Sequence, residues 1–292
     1  MPDLRQTGSG VRTFKNSYSA GNAESYRGVV IMKRKFSIII IVVFIVSLFA
    51  GQTQAQDKKN FYRELGKKLS KNRQDYVHLT DLEFANFREI HTTGIKRGVL
   101  YRSSSPIKTW GNRNYIADKE SERVGIRTFV NLADNVKDMK GCKGFQGSYY
   151  SKQSVICMDL STKYKSKNFC DRLAWGIKLM SQSQPPFLIH CDLGKDRAGF
   201  VCALIECLMG ADLDEVVQDY LISFYNYFGI QPGSSDYEFV ANNEIRGFLA
   251  QAFGVKLEDM PKVNLADGAQ RYFLSLGLSS EDIDSLRKKL AN

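Results

Sequence analysis

Apolar positions along this chain fall into two alternating rhythms. Short, nearly continuous apolar runs occur at Gly98-Val-Leu-Tyr-Arg-Ser103, Ile126-Arg-Thr-Phe-Val-Asn-Leu132, Ser154-Val-Ile-Cys-Met158 and Phe187-Leu-Ile-His190. Runs this short, rich in β-branched and aromatic residues, predict strands of a largely buried sheet. Between and after them the apolar residues recur at helical spacing. Helices are expected at 115–124, closed by Gly125, and at 169–181, where Leu173, Ile177 and Met180 share a face. Pro185-Pro186 stops the second of these. Further helices are expected at 198–209, apolar almost throughout, at 213–227, and near 238–253, 266–276 and 280–291. Residues 58–72 carry Phe61, Leu65 and Leu69 at spacing four among lysines, an amphipathic surface helix. The segment 84–90 ends near Gly94, and the three glycines of 140–147 predict a loop. Strands alternating with helices imply an α/β domain. Its centre is a four- to five-stranded, mostly parallel sheet flanked by helices. The helical C-terminal part from residue 213 packs against one side.

The N-terminal pattern differs. Lys33-Arg-Lys35 precedes an apolar run at 36–50 interrupted only by Ser37 and Ser47, and Gly51-Gln-Thr-Gln-Ala55 follows. A basic start, a short apolar run and small residues before a polar stretch make a secretory signal peptide at 32–55, with Thr53 and Ala55 at the −3 and −1 positions of the cut. The alternative is an uncleaved single-span anchor, for which the run is short. Residues 1–31 are polar and lack periodicity, so translation is expected to begin at Met32, leaving 1–31 as a non-native upstream extension. Residues 56–74 then form an N-terminal helical lead and 75–292 the functional domain. The protein is expected to be exported, periplasmic or secreted, touching a membrane only through an uncleaved signal.

Composition changes this picture little. Hydrophobic residues make up 43% and charged residues 25%, as in ordinary globular chains. The formal charge of +10 suggests nucleic acid, but setting aside 1–56 removes seven basic and two acidic residues and leaves +5. A nucleic-acid partner is therefore not expected. Six cysteines, with no Cys-x-x-Cys and no paired histidines, give no metal site, and no cofactor is implied. A Cys142–Cys157 pairing is conceivable, and Cys202 and Cys207 read as buried thiols.

The chemistry lies in the turn after the last strand, His190-Cys-Asp-Leu-Gly-Lys-Asp-Arg-Ala-Gly199. A cysteine ends a buried strand, and an arginine six residues later opens a helix. The intervening residues can curl so that their N–H groups converge on one centre, joined by the positive helix end. Gly194 permits the curl. Such a nest binds a tetrahedral oxyanion, and Arg197 can grip two of its oxygens. The same positive field favours the thiolate of Cys191. In-line attack of Cys191 on phosphorus, with the nest and Arg197 stabilising the equatorial oxygens, gives a cysteinyl-phosphate that water then cleaves.

These residues resemble the phosphate loop of cysteine-dependent protein tyrosine phosphatases. The Gly-Lys-Asp-Arg core is similar to the bacterial branch typified by the mycobacterial secreted tyrosine phosphatase B. The likeness extends to Asn86-Phe-Arg-Glu89, Arg97-Gly-Val-Leu-Tyr-Arg-Ser103, Gly125–Leu132 and Gly277–Arg287, and so covers roughly 75–290. It implies a phosphatase-type fold, with Cys191 as nucleophile and Arg197 as phosphate-binding arginine. It makes Asp196 the general acid, and the loop residues Asp192, Leu193, Gly194, Lys195 and Ala198 the substrate cradle. Lys195 is associated with phosphate contact and tolerance of phosphoinositides. Other members of the superfamily carry their acid after a strand on a mobile segment, where Asp159 stands here, so both aspartates remain candidates. His190 orients the loop. Three features depart from the family: Ala198 where a Ser or Thr hydroxyl is usual, the extra carboxylate of Asp192, and Asn131-Leu-Ala-Asp134 in place of Asp-Leu-Arg.

The expectation is an exported phosphatase of phosphate monoesters, phosphotyrosine first. Its alternatives are a phosphoinositide or inositol-phosphate phosphatase and a catalytically weak phosphate-binding module. A sulfurtransferase is disfavoured, because its loop is usually shorter. Lys163, Lys165 and Lys167 read as solvated surface, the aromatics Phe224, Tyr225, Tyr227 and Phe228 as helix core, and His78 and His91 as structural. Arg102 reads equally as a site residue or a structural ion pair.

Overall fold

The structure is a computed structural model describing residues 56–291. The upstream extension 1–31 and the signal peptide 32–55 lie outside the described residues. The chain divides into two units, Met1–Phe61 and Tyr62–Asn292. Of the first, residues 56–61 are described and are helical.

The second unit is built on a five-stranded sheet: β1 Arg88–Glu89, β2 Leu100–Ser103, β3 Thr128–Asn131, β4 Ser154–Cys157 and β5 Phe187–His190. The strand order is β1-β2-β5-β3-β4, with β1 antiparallel to β2 and every other pair parallel. The helices are α1 Asp81–Phe84, α2 Arg113–Arg123, α3 Val136–Gly141, α4 Lys167–Gln182, α5 Asp196–Met209, α6 Leu213–Phe228, α7 Ser235–Asn243, α8 Ile245–Phe253, α9 Leu265–Ser275 and α10 Ser280–Ala291. The α/β class, the mostly parallel sheet and the helical C-terminal part expected from the sequence are all present.

β5 is the central strand. In register, Ser103, His190 and Asn131 lie side by side, so three parallel strands end together and Cys191 leaves the sheet at their common C-terminal edge. Successive residues face opposite sides of the sheet. Tyr101, Leu188 and Phe129 share one face and enter a core with Ala117 of α2, Met139 and Tyr150. Arg102, Ile189 and Val130 therefore take the other. Helix α5 is buried from Ala198 to Leu208, which explains its apolar composition, and packs against α6 and α9.

Two sequence expectations need correction, and the segment 84–90 gains its elements. The helix expected over 58–72 ends at 67, and Asn72 instead caps a separate short turn at Arg73–Tyr76. The segment 84–90 is the end of α1 followed by β1; a Thr80/Glu83 capping box starts that helix and Asn86, at φ 51°, turns the chain out of it. The single helix near 238–253 is two, because Glu244 takes a non-helical conformation (φ −114°, ψ −93°) between α7 and α8.

Candidate active site

Residues 191–197 form a tight turn from β5 into α5. Cys191 is 3% exposed. Gly194 has φ +68°, and a Cβ there would lie 2.2 Å from the Ser103 carbonyl oxygen, so both conformation and space require glycine. Gly199 is required by space alone: its Cβ would meet the Arg102 guanidinium and the Tyr220 ring at 2.6 Å.

The carbonyl oxygens of the turn are held from outside. Asn86 Nδ2 donates to Leu193 O (3.1 Å) and Gly194 O (3.2 Å). Arg102 donates through Nε to Gly194 O (2.8 Å) and through Nη2 to Lys195 O (2.9 Å). Tyr227 OH donates to Leu193 O (2.7 Å), and Ser105 N to Asp192 O (3.1 Å). Peptide planes pinned by their oxygens on the outside turn their N–H groups inward, the arrangement an anion nest needs. No side chain caps the start of α5, so its first amides add to that nest.

Arg102 is wholly buried and anchored by charge. Its Nη1 meets Asp219 Oδ2 at 2.6 Å, while Arg88 Nε meets Asp219 Oδ1 at 2.7 Å. Ser223 Oγ accepts from Asn86, Arg88 and Arg102. Burial alone would raise the Asp219 carboxyl, but Arg88 and Arg102 outweigh it and hold the group below its ordinary range. Glu206 on α5 is pushed well above that range, first by burial and then by Asp219. Two arginines thus face one carboxylate behind the turn, an excess of positive charge that favours an oxyanion on the other side.

His190 is buried on the sheet edge. Its Nδ1 lies 3.3 Å from the Cys191 carbonyl oxygen and its Nε2 3.2 Å from Tyr150 OH. A carbonyl only accepts, so the network assigns the proton to Nδ1 and makes Nε2 the acceptor from Tyr150. Tyr150 OH in turn receives Asn131 Nδ2 (3.1 Å). Burial pushes the imidazole down to about 4, so His190 is neutral at ordinary pH.

At the mouth, Arg197 donates through Nη1 to Leu160 O (3.0 Å) and pairs through Nη2 with Asp192. Asp192 also pairs with Lys108, which reaches Asp134 Oδ1 at 2.7 Å. The Lys195 ammonium pairs with Asp196 and lies over the Phe224 ring at 4.2 Å and the Phe228 ring at 5.7 Å. Ala198 is buried and brings no hydroxyl. Asp159, at φ 47°, directs its carboxyl to Arg172 Nη1 (3.2 Å), while the adjacent Leu160 carbonyl touches Arg197. Phe224 and Tyr227 are buried, and Lys163, Lys165 and Lys167 are exposed. All six cysteines are free thiols in the structure, and Cys142 and Cys157 are not joined; Cys157 Sγ lies 3.4 Å from Met139 Sδ, and burial pushes its thiol up to about 11.

Asn86, Lys108, Tyr150, Asp219 and Ser223 are the residues that sequence reasoning did not assign to the site. A signal existed for two of them. Asp219 and Ser223 stand four apart and share a buried helix face with Asn226, a run of polar groups among Tyr220, Phe224 and Tyr227. A cavity of about 710 Å³ between α6 and α7, lined by Leu221, Ile222, Tyr225 and Tyr237, holds none of the residues of the turn.

Residues 159–292 match the tyrosine phosphatase family. The chain is 38% identical over 186 residues to the triple specificity protein phosphatase PtpB of Mycobacterium tuberculosis, a match covering 47% of this chain and 66% of the relative's length. Among solved structures, TpbA of P. aeruginosa aligns over 56% of this chain and 85% of its own at 17% identity and a TM-score of 0.35. The core catalytic domain of the PP-IP phosphatase SIW14 of S. cerevisiae aligns over 53% and 87% at 18% identity and a TM-score of 0.32.

Proposed function

We propose that this chain is an exported phosphoric monoester hydrolase acting on phosphotyrosine through a cysteinyl-phosphate. The observation that carries this reading is the 191–197 turn, whose carbonyls are drawn outward by Asn86, Arg102, Tyr227 and the Ser105 amide, with Cys191 and Arg197 at its two ends. The Cys191 sulfur attacks phosphorus as the ester P–O bond breaks, and Asp196 gives the leaving oxygen its proton. Water then attacks the phosphorus, losing a proton to the Asp196 carboxylate and freeing phosphate and the thiolate. Charge developing on the equatorial oxygens is met by fixed amides and by Arg197.

Phosphotyrosine is favoured over phosphoinositide because the Lys195 ammonium is engaged by Asp196 and by the α6 rings. The name of the M. tuberculosis relative, triple specificity protein phosphatase, supports assaying several substrate classes side by side. The deciding experiment is turnover of para-nitrophenyl phosphate in EDTA by wild type and Cys191→Ser. Wild type is expected to be active and Cys191→Ser to lose essentially all turnover, since a serine hydroxyl is scarcely ionised in the same nest. Retained activity in the variant, or wild-type activity that disappears with EDTA and returns with a metal, overturns the mechanism. Export rests on the 32–55 pattern and is tested by N-terminal sequencing of protein from the native host, with a start at Gln56 expected.

A further inference from the structure

We propose that Asp192 and Lys108 form a charge gate on the phosphate site. Asp192 competes with the incoming oxyanion for one edge of Arg197, and Lys108 is the partner that takes Asp192 when the oxyanion wins. The proposal rests on the reading of 191–197 as a phosphate site and adds to it a determinant of anion affinity and selectivity.

Arg197 has one nitrogen committed to the Leu160 carbonyl, and Asp192 holds another. A two-oxygen grip on phosphate draws on the nitrogen that Asp192 occupies. The exchange needs no movement of the turn. The Asp192 backbone is fixed by the Ser105 amide, and its Oδ1 already meets Lys108 while its Oδ2 meets Arg197. Rotation of the carboxylate toward Lys108 frees the arginine. Lys108 is placed for this by Asp134, which is 6% exposed in its side chain and receives Asn131 Nδ2 at 3.1 Å. The Asp192 side chain is 49% exposed, so water can solvate it during the exchange. Lys108 and Arg197 are balanced by Asp192 and Asp134, as Lys195 is by Asp196, and the local field turns positive toward an anion as Asp192 leaves. A weakly held monoanion gains too little to displace it, whereas a phosphate dianion bonded to the amides of the turn does. The gate therefore acts first on substrate and product affinity.

Binding of inorganic phosphate, followed calorimetrically at fixed pH and ionic strength, tests this without requiring turnover. Asp192→Asn keeps the shape and removes the charge, and it is expected to bind phosphate about tenfold more tightly than wild type. Lys108→Ala is expected to weaken binding several-fold in the wild-type background and far less in the Asp192→Asn background, because the second has no carboxylate to receive. Equal or weaker binding by Asp192→Asn overturns the gate while leaving the phosphate site standing. So does a Lys108→Ala penalty that is the same in both backgrounds, which marks Lys108 as a simple attractor of anions. Absence of phosphate binding in wild type and in every variant overturns the phosphate-site reading, and the gate with it.

Discussion

Two sets of ion pairs flank the same short turn, and they differ in one variable, water. Behind it, Arg88, Arg102 and Asp219 expose 13%, 0% and 9% of their side chains. In front, Lys108, Asp192 and Arg197 expose 30%, 49% and 14%. Buried charges depend wholly on one another, because each has given up its hydration and removal of one strands the rest. A half-exposed charge such as Asp192 is screened and can trade partners at little cost. The rear set therefore suits the task of fixing the carbonyls of Gly194 and Lys195, and the front set the task of letting an anion in and out. Rigidity and exchange are assigned by burial, with arginine and aspartate on both sides.

The sharpest way to break this contrast is to remove the rear carboxylate. Asp219→Ala leaves two buried guanidinium groups without a counter-charge and is expected to cost about 3–5 kcal/mol of folding stability. Urea denaturation reads the loss as a fall in midpoint. A cost under about 1 kcal/mol would place the rear set with the front one and void the contrast.

Next in size is the assignment of the acid, which belongs to the front. General acid catalysis contributes about 10²–10⁴-fold, and a tyrosine leaving group needs it far more than para-nitrophenolate does. Asp196→Asn is expected to lose much more activity on phosphotyrosine than on the activated ester, and to flatten the basic limb of the pH–rate profile. Asp159→Asn is expected to lose little on either, since its carboxyl is turned to Arg172. The opposite result in the two variants would move the acid to the segment after β4.

How much of this was legible in the chain follows from range. The strands were visible because Pro186, Gly98 and Gly125 bound short apolar runs, and Cys191 and Arg197 because their relation is local. β1 was marked only by the family resemblance of Asn86–Glu89, since two charged residues, Arg88 and Glu89, carry no strand pattern and pair only because β2 is there. The break at Glu244 has no glycine or proline to announce it. Asp219 and Lys108 were missed because they reach the site across 117 and 84 residues, through Arg102 and Asp192 respectively. Arg102 read equally as a site residue or an ion pair; the structure shows the ion pair with Asp219 and bonds to the Gly194 and Lys195 carbonyls. No spacing rule encodes such meetings; only the register of β2 on β5 creates them.

The neutral His190 offers a third test, in the acid limb of stability. Burial lowers its folded value to about 4 from an ordinary 6.5, so between those values the unfolded chain binds a proton that the native one refuses. The contribution is fully present above pH 6.5 and is lost as pH falls toward 4, on the order of 3 kcal/mol in all. Denaturation midpoints measured from pH 7 to pH 4 should fall accordingly, and His190→Asn should be less stable at pH 7 yet flatter across that window. A wild-type-like slope in the variant would assign the acid limb to other groups.

The smallest effect expected is the stability cost of the front. Lys108→Ala removes the shared partner of Asp134 and Asp192, yet each retains another: Asn131 for Asp134 and Arg197 for Asp192. Neither carboxylate is left without a donor, although Asp134, 6% exposed, keeps only a neutral one, and the Lys108 side chain is itself 30% exposed. The loss should be no more than about 1 kcal/mol, and added salt should shrink it further, as for other screened pairs. The same denaturation assay used for Asp219→Ala makes the pair of variants directly comparable. The decisive quantity is their difference, expected to be several-fold and to widen with salt as the front pair is screened and the buried one is not. A Lys108→Ala cost as large as that of Asp219→Ala, unchanged by salt, would mean that the mouth is built as rigidly as the rear, and that Asp192 is not free to let go of Arg197.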